Sequence, residues 1–172
     1  MIKPDKGISH SALVNGILLT QLDVNTPMHG IFLQSLSLLN LSRLVEKLKK
    51  SEDPKRKYEY ILWLGKKLKE PDSEILVEEN KVKGCVSEVF VKANIKGGKL
   101  FWEGYSDALI TKGLLAFLIT GLNELTPNEV VKIDKRFIED TGLKASLTPS
   151  RSNGFLNILL KMQSQANEFL LV

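Results

Sequence analysis

Few residues in this 172-residue chain could do chemistry on another molecule. They are one cysteine, Cys85, two histidines, His10 and His29, and the lysines beside the cysteine, Lys81 and Lys83. A metal site needs several ligands at defined spacing, so one thiol and two remote histidines do not build one within the chain. A cysteine hydrolase needs a histidine base near its nucleophile, and both histidines precede the region that reads as folded. No phosphate-binding loop is present, because "KGGKL" (96–100) lacks the following helix and the Lys-Ser/Thr pair. Cys85 remains. A lone cysteine can be an inert buried residue that packs as a small hydrophobe. It can also be a nucleophile that accepts a sulfur atom as a persulfide and keeps it, since no second thiol is there to expel that sulfur. Gly84 frees the backbone before it, and Lys81 or Lys83 would lower the thiol pKa if either points at it.

The elements that must position this residue follow from periodicity. In "NLSRLVEKLKKSED" Leu41, Leu44, Val45 and Leu48 fall at helical spacing, with Ser42 as the expected cap. "DPKRKYEYILWLGKKL" starts a second helix with Asp53 as N-cap and Pro54 at the first helical position. Its apolar face reads Tyr58, Ile61, Leu62, Gly65 and Leu68. After the cysteine the period becomes two: Val89, Val91, Ala93 and Ile95 alternate with Glu88, Phe90, Lys92 and Asn94. "KGG" (96–98) is a turn, and "KLFWEGY" returns as a second strand. "SDALITKGLLAFLITG" predicts a helix capped by Ser106, with Asp107 in its first turn and Gly121 at its end. Thr126, Pro127 and Glu129 spell a capping box, and a short helix closes at Gly142. A last helix after "LTPSRSNG" carries Phe155, Leu156, Leu159, Leu160 and Ala166 on its buried side. The order predicts an α+β fold, a small antiparallel β-sheet covered by helices.

Composition narrows the function classes. Hydrophobic content of 43% with 26% charged residues describes a globular chain that can build a core. One cysteine rules out an intramolecular disulfide and points to a reducing, cytoplasmic setting. No apolar run is long enough to span a membrane. The net charge of +4 is modest for a nucleic-acid binder, and the charge runs at 43–69 and 70–79 read as solvated surfaces. Residues 1–38 show no strong periodicity and read as a loosely organised extension before a domain at 39–172. Met28 is an alternative start, and a plastid stroma is the alternative location if the extension is a transit segment.

Four motifs in order carry a resemblance. They are "KYEYILWLGKKL" (57–68), "VKGCVSEVFV" (82–91), "GYSDALITKGLLA" (104–116) and "GLKASLTPSRSNGF" (142–155). From about residue 41 to residue 165 the chain resembles the SufE-type sulfur-acceptor family. Its members take persulfide sulfur from a cysteine desulfurase during iron–sulfur cluster assembly. The resemblance implies that Cys85 is the sulfur acceptor. It further implies that Gly84, Asp107 and Arg151 position the cysteine loop or bind the partner. Asp107 has the alternative of stabilising a helix N-terminus, and Arg151 that of bracing the last helix. The implied partners are a cysteine desulfurase and, downstream, an iron–sulfur scaffold, with no resident cofactor or metal and no nucleic acid. Its work would be that of a desulfurase-stimulating accessory rather than of a free-standing enzyme. Val86, Glu88 and Phe90 stand where the family usually has glutamine, glutamine and tryptophan, and Ser146 stands at a common histidine place. These departures bear on partner choice, since the thiol itself is kept. The alternative function is a basic binding module, for nucleic acid for instance, in which Cys85 is structural. In the carrier reading the thiol of the free protein is expected to tuck against apolar residues.

Overall fold

The computed structural model describes residues 38–171 and, before them, only the backbone pairing of two short strands. Those strands, β1 (Leu13–Val14) and β2 (Ile17–Leu18), pair antiparallel with Leu13 opposite Leu18. The chain divides into two units, 1–36 and 37–172. His10, Met28 and His29 lie outside the described residues.

The second unit begins with α1 (Leu39–Lys49) and α2 (Pro54–Lys67). Asp53 caps α2 by accepting from the Lys55 amide at 2.9 Å, with Pro54 at the first position where its missing N–H costs nothing. Two single 3-10 turns, Ser73–Ile75 and Glu78–Asn80, lead to the cysteine. The hairpin follows as β3 (Val89–Lys96) and β4 (Lys99–Ser106), with Val91 opposite Gly104 and Ala93 opposite Trp102. Gly97 and Gly98, both at positive φ, form its two-residue turn. Then come α3 (Leu109–Leu122), α4 (Pro127–Val131), α5 (Arg136–Asp140) and α6 (Pro149–Glu168). The expected α+β architecture is present: one small antiparallel sheet packed with helices.

Helix α3 is the centre. Eleven of its 14 residues are buried, which is the signature of a helix covered on nearly all sides. Leu114, Leu115, Phe117 and Leu118 meet Val89, Val91 and Leu100 of the hairpin and Phe155, Ile158 and Leu159 of α6 in one apolar core. Phe117 and Phe155 cross edge to face with ring centres 5.8 Å apart. Helix α2 packs so closely that a Cβ on Gly113 would overlap the Ile61 carbonyl, which is why that position has no side chain. The outer edge of β3 is closed by Gln165 of α6. Its Oε1 accepts from the Ala93 amide at 3.0 Å and its Nε2 donates to the Val91 carbonyl at 2.9 Å.

Several sequence expectations are corrected. Ser42 lies inside α1 rather than capping it, its amide bonded to the Leu38 carbonyl. Ser106 is the last residue of β4, Asp107 sits in the turn before α3, and Ala108 holds the N-cap position. Gly121 is a helical residue where Leu41 packs close, and α3 runs on to Leu122. Leu160 is exposed, while Phe155, Leu159 and Ala166 are buried as expected and Ile158 and Met162 join them. Apolar side chains alone do not tell which flank of a long helix the core covers.

Candidate functional site

Cys85 sits on a six-residue loop, 83–88, whose ends are tied together. The Val82 amide donates to the Val89 carbonyl at 2.8 Å, and Lys81 bridges to Phe90, so the strand before the cysteine lies along the outer edge of β3. Chain reversal inside so short a loop needs a residue at positive φ, and Gly84 (φ 76°) supplies it.

Two walls hold the loop. On one side α6 clasps it: Asn157 Nδ2 donates to the Gly84 carbonyl at 3.0 Å, and the Cys85 thiol lies 3.7 Å from the Gly154 carbonyl. On the other side Ser87 and Thr111 share a hydroxyl–hydroxyl bond at 3.3 Å, and the Asp107 amide donates to the Glu88 carbonyl at 3.3 Å. Cys85 is half-buried and packs against the edge of the core, while its neighbour Val86 is 89% exposed at the loop tip. The thiol is thus shielded by a loop that is itself at the surface.

The electrostatics differ from the expectation. Burial pushes the Cys85 thiol pKa up, because the charged thiolate loses solvation there. Neither lysine offsets this. Lys81 reaches Glu88 at 3.4 Å and overlies the Phe90 ring, and Lys83 is exposed. In this conformation the sulfur is held as a protonated thiol.

Of the residues singled out from the sequence, Gly84 and Cys85 are joined to α6 directly. Asp107 is joined to the loop only through its backbone, and its exposed carboxylate makes no bond to a described residue. Arg151 is exposed in the first turn of α6, three residues before Gly154, and its guanidinium likewise has no partner among the described residues. Asn157 was invisible in the sequence. Only its spacing of one helical turn from Gly154, on a helix that carries a recognisable motif, could have pointed to it. Among the described residues no three His, Cys, Asp or Glu side chains cluster to hold a metal ion. No helix among them is long and apolar enough to cross a membrane.

Comparisons with known proteins agree with this architecture. Residues 42–166 match the profile of the SufE family, described as an Fe-S metabolism associated domain. The chain is 51% identical over 130 residues to an uncharacterized SufE-like protein of Synechocystis, covering 76% of this chain and 82% of the relative. It is 41% identical over 127 residues to SufE-like protein 1, chloroplastic/mitochondrial, of Arabidopsis thaliana, covering 73% of this chain and 34% of that one. It is 32% identical over 133 residues to the cysteine desulfuration protein SufE of Plasmodium falciparum, covering 70% and 53%. A solution structure of a hypothetical protein from Thermus thermophilus superposes with a TM-score of 0.68 at 26% identity, over 77% of this chain and 97% of that one.

Proposed function

The chain belongs to the SufE family, and from that membership we propose that it is a persulfide carrier for a cysteine desulfurase in iron–sulfur cluster assembly. The observation that supports this reading most is the setting of the thiol. A solitary cysteine is half-buried on a surface loop that is fastened by a few separable hydrogen bonds.

Transfer begins when docking turns the loop outward. Solvation then removes the burial penalty, and the thiol gives up its proton to water. The thiolate attacks the outer sulfur of the donor's cysteine persulfide. A new S–S bond forms on Cys85, the donor's S–S bond breaks, and the electron pair leaves on the donor cysteine as its thiolate. No electrons are gained or lost overall. Turning back against α6 would shield the new persulfide until an acceptor, such as an iron–sulfur scaffold, draws it off. Asp107, whose amide bonds the loop, and Arg151, in the first turn of the helix that clasps it, carry exposed charges with no partner among the described residues, which suits them to contact the desulfurase. The acceptor must start as a free thiol, which a reducing compartment maintains, so the reading suits the cytoplasm, or a plastid stroma with residues 1–38 as transit segment.

The test is desulfurase turnover, read as alanine formed from cysteine. Added wild-type chain should raise the rate, and Cys85→Ser should bind without raising it. Equal stimulation by both would overturn the carrier reading.

A further inference from the structure

The β3–β4 hairpin has two edges, and they are treated differently. The edge of β3 is closed by Gln165 and by Val82, next to the cysteine loop. The edge of β4 is closed only at its start. Leu100 exchanges hydrogen bonds with Leu125 and Glu124 at 2.8 Å, and the Trp102 amide donates to Asn123 Oδ1 at 2.9 Å. Because backbone groups alternate along a strand, the Trp102 carbonyl and both the N–H and C=O of Gly104 face the same way as Leu100. None of these three has a partner among the described residues; Trp102 and Gly104 are both buried, and the groove described next is where a strand would reach them. Such a row of unpaired strand groups is a template for another strand.

Beside that edge lies a groove of about 750 Å³, within the range of ligand-binding clefts. Its floor is the part of α3 that the two-stranded sheet does not cover, including Ala116, Ile119 and Thr120, and its far wall is the end of α2. Trp102 lines it, 5% exposed, and its buried indole N–H has no hydrogen-bond acceptor among the described residues. An indole is a donor only, so what meets it must bring an oxygen acceptor. On the rim Tyr60 and Trp63 stack with ring centres 5.7 Å apart, and Trp63 is 47% exposed. Lys67 lies over the Trp63 ring at 4.7 Å, and neither it nor Lys69 pairs with a carboxylate among the described residues. Asp72 and Glu103 also line the groove, and Glu70 there is bound to Lys112.

We propose that the free edge of β4 at Trp102–Gly104 and the groove beside it bind an extended segment of a partner protein as an added third strand. The unpaired C=O, N–H and C=O match a polypeptide backbone at strand spacing, which distinguishes this occupant from a small molecule. Its alternate side chains would include an apolar anchor over Ile119 and the Tyr60–Trp63 platform, and an acidic residue where it passes Lys67 and Lys69. A carbonyl or carboxylate oxygen of the segment would receive the Trp102 indole N–H. This edge is opposite the one that carries the cysteine loop, so a partner held here leaves Cys85 free to exchange sulfur.

Selection of random dodecapeptides displayed on phage against the full chain tests this directly. Enriched peptides should be rich in β-formers with an apolar and an acidic residue. In amide-resolved NMR they should shift the Gly104 amide and the Trp102 indole signals and slow Gly104 exchange. Trp63→Ala and Thr120→Arg, both at exposed positions, should weaken them by about tenfold or more while leaving the fold intact. Failure to enrich any peptide, or enriched peptides indifferent to Thr120→Arg, would overturn the proposal. So would a concentration-dependent dimer of this chain abolished by Thr120→Arg, since the edge would then be filled by a second copy. The carrier reading is tested apart from this, by desulfurase stimulation with wild type and Cys85→Ser, and does not depend on peptide capture.

Discussion

Asn157 is the residue on which the guarding of the thiol turns, and its removal has a calculable consequence. Asn157→Ala deletes the 3.0 Å bond to the Gly84 carbonyl, the one bond that an α6 side chain gives the loop among the described residues. That bond is exposed to solvent, so its net worth lies at the low end for hydrogen bonds, about 0.5–1 kcal/mol. The bonds to Thr111 and Asp107 remain on the other side. If the loop opens and closes faster than Cys85 reacts, alkylation follows the open population, which then rises about two- to fivefold. Intact-mass time courses with iodoacetamide near pH 7 read this rate, and chemical denaturation confirms that global stability is little changed. Gly84→Ala provides the internal check. Its Cβ would stand 2.7 Å from Asn157 Nδ2, and a positive φ costs alanine about 1 kcal/mol or more. Removing Asn157 relieves the overlap and leaves the backbone strain, so Gly84→Ala should raise reactivity less in the Asn157→Ala background. An alkylation rate unchanged or lowered by Asn157→Ala would refute the clasp.

Three further predictions concern the frame. Gly113→Ala forces a Cβ into the Ile61 carbonyl across the α2–α3 contact; a loss of about 3 kcal/mol, or roughly 6–12 °C in melting temperature, is expected by calorimetry. Gln165→Ala removes both of its bonds to the edge of β3 and leaves the Ala93 N–H and Val91 C=O unsatisfied, so destabilisation of about 2–4 kcal/mol should appear in urea unfolding. The raised Cys85 pKa sets a pH dependence. A thiol favoured as neutral in the folded state contributes its stability below its ordinary value of 9.0 and loses it as pH rises through the higher folded value. Wild type should therefore lose stability above pH 9.0 relative to Cys85→Ser, and its alkylation midpoint should lie above that of the unfolded chain.

What could be read in advance was what short-range chemistry decides. Asp53 with Pro54, and Thr126 with Pro127 and Glu129, cap their helices through bonds within a few residues, and Gly97–Gly98 makes its turn alone. The four motifs mark the cysteine loop in the sequence itself. What stayed hidden depends on partners far along the chain. Gly121 reads as a helix stop because the chain alone does not reveal that Leu41 packs on it. Lys81 and Lys83 read as activators of the thiol because the claim of Glu88 on Lys81, and the burial of the sulfur, arise only in the fold. Asn157 and Gln165 each bond across more than 70 residues and carry no local mark.

The measurement closest to the central claim is intact-protein mass spectrometry without reductant, after incubation with a cysteine desulfurase and cysteine. Wild type should gain the mass of one sulfur atom, removable by a thiol reductant, and Cys85→Ser should gain none. Wild type that stays unmodified beside a desulfurase shown to turn over would contradict the account and leave Cys85 a residue of the core edge.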